Sequence, residues 1–172
     1  FELARRGHEI GFHPSYQASF DEAIWNKELT RLRAATDGIP LSGGRQHFLR
    51  FRAPETWRLW EKSGLGYNSS LTYADHEGFR CGTCYPFKPY DVEQDRVMDI
   101  TEIPLVVMDG TLKQYRNLTP EQAEKHILTL AGRCKEVGGT LTLLWHNSSL
   151  IGEWASWADV YRGVLPKLAE MK

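Results

Sequence analysis

His13, Arg52 and His146 each stand at the end of a short apolar run, where a side chain leaves a strand and meets solvent. An imidazole titrating near neutrality can hold a metal through a neutral nitrogen or pass a proton in a reaction. A guanidinium can hold a carboxylate in a fixed orientation. Each residue also has a plainer reading. A lone histidine is more often a hydrogen-bonded surface or structural group, and His8 and His126 are read that way. Arg52 is equally readable as a salt-bridged structural arginine. Arg45, Arg80 and Glu102 could line a cleft, with surface ion pairing the more ordinary role. Trp57 and Trp60, one helical turn apart, and Trp145 are read as core before sugar platform.

Cysteine chemistry is weaker. Cys81, Cys84 and Cys134 form an odd set that gives no disulfide framework. Cys81-Gly-Thr-Cys84 has redox spacing, but Tyr85-Pro86-Phe87-Lys88-Pro89-Tyr90 follows it and reads as loop, where a redox motif needs a helix start. One such pair is also only half a zinc site. Asn68-Ser-Ser, Asn117-Leu-Thr and Asn147-Ser-Ser match a glycosylation pattern that is frequent by chance.

The elements that must position these residues alternate between strand and helix. Phe1–Arg6 reads as the end of a helix closed near Gly7, and Glu9–His13 as a short strand. Ser19 and Glu22 have capping-box spacing ahead of a helix with apolar Trp25, Leu29 and Leu32, which stops at Asp37-Gly38-Ile39-Pro40. His47–Arg52 reads as a strand and Pro54–Ser63 as a helix stopped by Gly64. Tyr67–Asp91 is a long, ordered irregular connection. A strand follows over Ile103–Met108. Thr119 and Gln122 make a second capping box, opening a helix with a stripe at Ala123, Ile127, Leu130, Ala131, Cys134 and Val137. Gly138-Gly139 ends it. Thr140–His146 is a buried-type strand, and a last helix from about Trp154 is expected to bend near Pro166.

With 172 residues and neither repeats nor linkers, the chain reads as one domain over 1–172. Strand–helix alternation argues for a mainly parallel α/β sheet or barrel, with chemistry at the C-terminal strand edge. The balance of 21 basic against 22 acidic residues argues against a nucleic-acid partner. No apolar run approaches the roughly 20 residues that span a bilayer. The chain reads as soluble, leaning to the cytoplasm.

Four segments carry a resemblance: Gly7-His8-Glu9-Ile10-Gly11-Phe12-His13-Pro14, Phe51-Arg52-Ala53-Pro54, Gly66-Tyr67-Asn68-Ser69-Ser70-Leu71, and Leu143-Leu144-Trp145-His146-Asn147. Their order and spacing resemble the polysaccharide deacetylase (NodB-homology, carbohydrate esterase family 4) domain, in a divergent branch. The resemblance implies a distorted (β/α) barrel, here lacking its first strand, and a divalent metal, usually zinc, held by one Asp and two His. It implies a hydrolase that removes acetyl groups from an amino-sugar glycan or glycan precursor. His13 matches the first histidine ligand, Arg52 the base-orienting arginine and His146 the general acid. Arg45, His47 and Arg80 are expected to contact the glycan. The paired aspartates expected upstream of Gly7-His8-Glu9 do not occur in this sequence, and Gln17 stands where the second histidine ligand is expected. His47 and His76 are candidates to complete the site. A non-catalytic carbohydrate-binding relative with a decayed metal site is the alternative reading.

Overall fold

The computed structural model describes residues 2–171. Phe1, part of the expected opening helix, lies outside the described residues, and that helix is seen as α1, Glu2–Arg5. Helices and mainly parallel strands mix throughout, in two compact units: Phe1–Leu71 with Pro86–Ile103, and Thr72–Tyr85 with Pro104–Lys172.

In the first unit, α2 (Glu22–Thr36) starts at Asp21, whose carboxylate accepts from the N–H groups of Ala23 and Ile24 at 2.9 and 3.0 Å. The expected cap, Ser19, is instead buried, and its hydroxyl faces the Gln46 side-chain oxygen at 3.4 Å. The helix buries Trp25 and Leu29 as its spacing predicts. Strands β1 (Gly43–Gly44), β2 (Tyr67–Asn68) and β5 (Thr101–Glu102) run parallel in that order, Gly44 beside Asn68 and Asn68 beside Glu102. β3 (Tyr90–Asp91) and β4 (Arg96–Val97) form a small antiparallel pair.

Two expected strands shrink here. Of Glu9–His13, Phe12 alone bridges, in parallel to Gly44. A Cβ on Gly44 would fall 2.0 Å from the Phe12 carbonyl oxygen, so glycine is what allows the two backbones to meet. His47–Arg52 is not a strand. His47–Leu49 is a 3-10 turn in which Phe48 and Leu49 take φ of 55° and 52°, and left-handed backbone cannot extend a ladder. Arg52 therefore sits in the loop before α3 (Glu55–Lys62). Trp57 and Trp60 on α3 are buried with Phe12 and Trp25, Phe12 and Trp60 meeting the Trp25 ring edge-on at 4.8 and 5.2 Å. They are core, as read.

In the second unit, β6 (Val107–Met108) pairs in parallel with β7 (Leu143–Leu144). The strand expected over Ile103–Met108 is shortened to β6, Val107–Met108; Pro104 brings no N–H to a ladder, and β5 ends before it at Glu102. α4 (Pro120–Glu136) opens with the expected box, Thr119 N–H on the Gln122 side chain at 2.9 Å and Gln122 N–H on the Thr119 hydroxyl at 3.3 Å. Its stripe is buried through Cys134, while Val137, past the last turn, is exposed. α5 (Ala155–Glu170) continues through Pro166 and packs Trp157, Val160 and Val164 against Val106, Val107 and Ile127. Cys84 and Cys134 are buried neighbours, and among the described residues no cysteine is in a disulfide.

Candidate functional site

In the first unit the chain leaving the Phe12 bridge and the chain leaving β1 run side by side. His13 Nδ1 donates to the Arg45 carbonyl at 2.8 Å, which leaves the lone pair of a neutral ring on Nε2. The His47 ring meets His13 at 5.2 Å between centroids. Of the two histidines proposed to complete a site, His47 is thus the one brought to His13. His76 stacks on Tyr73 at 3.9 Å and bonds Asp75 in the second unit.

Arg45 is not a surface ion pair. Its guanidinium donates to the Ser69 carbonyl at 2.5 Å and hydroxyl at 3.0 Å, and burial lowers its pKa. Glu102 is fully buried, contrary to the surface pairing expected of it. It accepts from Trp57 Nε1 at 2.8 Å and from the N–H groups of Leu71 and Ser70 at 3.1 and 3.3 Å. Burial pushes its carboxyl up to about 7 against the pull of those bonds. Arg52 is exposed, its guanidinium 4.6 Å from the centre of the Phe20 ring.

In the second unit His146 follows β7, and its Nδ1 lies 2.7 Å from Asp109 Oδ1. Its backbone N–H donates to Asp109 Oδ2 at 2.8 Å. Asp109, directly after β6, is fully buried, whereas half of the His146 side chain is exposed. Burial would raise the Asp109 pKa, but bonds from the His146 ring, Ser149 and the His146 N–H outweigh it and keep the carboxyl below its usual range. An ionised carboxylate only accepts, so Nδ1 carries the proton of this bond. Asp109 was missed in the sequence. Its signal was present: an acidic residue closing an apolar run, the same feature that singled out His146.

Arg80, also in the second unit, is exposed and donates to the Thr72 carbonyl at 2.7 Å, bracing its own loop. His126 pairs with Glu77, in keeping with a structural role.

The divalent metal implied by the resemblance needs about three protein ligands in a catalytic zinc site. Among the described residues, no three His, Cys, Asp or Glu side chains form such a set. His13 and His47 are two imidazoles, and exposed Gln17 offers only an amide. These residues do not fit a catalytic metal by themselves.

No family model and no curated protein matches the chain. Among solved structures, it is similar to one described as "putative polysaccharide deacetylase from Mycobacterium smegmatis", at 21% identity and a TM-score of 0.64 over 95% of this chain. The chain spans 58% of that structure's length. The likeness establishes a shared mixed helix-and-sheet fold.

Proposed function

We propose that this chain belongs to a deacetylase-type hydrolase of non-peptide carbon–nitrogen bonds, which releases acetate from an amino-sugar glycan or glycan precursor. The observation that carries the reading is the Asp109–His146 pair: a buried, ionised carboxylate orienting a half-exposed imidazole at the end of a parallel strand. Support comes also from the fold shared with a protein described as a deacetylase. The fold that goes with this proposal is a distorted (β/α) barrel.

Hydrolysis of an N-acetyl group adds water across the amide carbon and expels an amine, which must gain a proton as its bond to carbon breaks. His146, protonated on both nitrogens, gives that proton from Nε2, and Asp109 steadies the imidazolium beforehand. Arg52 is proposed to orient a carboxylate base, and Arg45, His47 and Arg80 to contact the glycan. No step is assigned to a metal ion, since two imidazoles are what these residues bring together. That same shortfall favours a second reading, a glycan-binding relative without catalysis.

The test is acetate release from an N-acetylated chitin oligomer by the full-length protein. His146→Ala should lower kcat by roughly 10²–10⁴-fold, the usual share of a positioned acid. Asp109→Asn should lower it too and displace the alkaline limb of the pH profile, where the general acid loses its proton. Oligomer binding without acetate release supports the second reading. A fully active His146→Ala variant refutes the assigned role.

A further inference from the structure

We propose that Tyr16, Phe20, Phe48 and Arg50 form a subsite for a carboxylate-bearing sugar, making the substrate an acidic glycan; this rests on the deacetylase reading above.

The cluster lies in the first unit, on the segments that leave the Phe12 bridge and β1. In parallel sheets, ligands collect at that end of the strands. Its rings are out in solvent: Tyr16 is 46%, Phe20 44% and Phe48 76% exposed. Phe48 meets Tyr16 edge-on at 5.7 Å and touches His47 at 4.7 Å, so the cluster continues into the His13–His47 pair. Phe48 and Leu49 both hold left-handed backbone, which is unfavourable for bulky side chains. Burial does not repay that cost at Phe48, because most of the ring is in water. Strain of this kind, left uncompensated by packing, is characteristic of ligand clamps.

The second observation is the charge. Arg50 places its guanidinium 3.9 Å from the centre of the Tyr16 ring and 4.5 Å from that of Phe20, and donates to the Tyr16 carbonyl at 2.7 Å. Among the described residues Arg50 forms no ion pair with a carboxylate. Three nearby acids are engaged elsewhere: Asp21 caps α2, Glu22 pairs with Lys62, and Glu28 accepts from the Ser15 N–H. The planar guanidinium fork matches a carboxylate. An exposed ring beside it suits the apolar face of a pyranose. A hexuronic acid residue offers both in one unit.

The experiment is calorimetry on the full-length protein with a hexasaccharide of alternating hexuronic acid and N-acetylhexosamine, against the same chain after carboxyl reduction. The acidic form should bind at least about tenfold more tightly, in keeping with one charge-assisted hydrogen bond, and the margin should shrink with salt. Arg50→Gln should remove the margin while leaving the reduced form's affinity unchanged. Phe48→Gly should weaken both forms without lowering the melting temperature, because glycine takes φ near 55° freely. A purely structural Phe48 would instead lose stability. Equal affinity for the two sugars, with acetate release still dependent on His146, overturns the acidic subsite and spares the deacetylase reading. A margin that survives Arg50→Gln overturns the cluster as its location. Binding of neither sugar together with no acetate release removes both proposals.

Discussion

Single residues divide according to whether their role depends on neighbours in sequence or in space. His146 is legible as a polar residue closing an apolar run, but the carboxylate behind it is 37 positions away. Only the pairing of β6 with β7 brings Asp109 to it. Glu102 is the reverse case, an ordinary surface acid by type that the fold buries against Trp57 and the Ser70-Leu71 backbone. Its carboxyl is raised from 4.5 to about 7, so the folded state holds its proton more tightly than the unfolded chain does. The stability this contributes is complete below pH 4.5 and is lost as pH rises through 7. The difference is on the order of 3 kcal/mol, from 1.36 kcal/mol per pH unit. Glu102→Gln has no proton to lose, so its stability relative to wild type should rise across that window in urea titrations. Parallel pH curves for the two proteins would show that Glu102 does not titrate there.

Elements were legible where local chemistry decides them. The α4 box and stripe needed only hydrogen bonds and periodicity within one segment, and both formed. Strands depend on partners that sequence does not display. β1 is a pair of glycines with no strand propensity, selected because Phe12 and Tyr67 press against the backbone there. The run His47–Arg52 looks extended by composition, yet it turns. The α2 start shows how narrow the local margin is: two adjoining residue sets could cap it, and burial of Ser19 leaves Asp21 as the cap. Asp21→Ala should therefore cost about 1 kcal/mol in equilibrium unfolding, the typical value of a lost N-cap. No measurable change would mean that the two N–H groups find water equally well.

Across the whole chain, acids and bases nearly balance, no described helix is long and apolar enough to cross a membrane, and two apolar clusters organise the two units. The resemblance that the sequence carries implies three metal ligands, and the described residues bring two imidazoles together. The bond from His13 Nδ1 to the Arg45 carbonyl fixes the ring of the expected first ligand. Preparation of one ligand does not make a site, because tight zinc binding needs several protein donors acting together. These 172 residues should thus take up zinc weakly in calorimetry and show no stoichiometric metal after dialysis. Gln17→His places an imidazole at the position the resemblance assigns to the second ligand, and should tighten zinc binding. His13→Ala in that background should abolish the gain, because the added ligand works only in company. Tight, stoichiometric zinc on the unaltered residues would mean that a donor set forms on binding, and that the two imidazoles are its core.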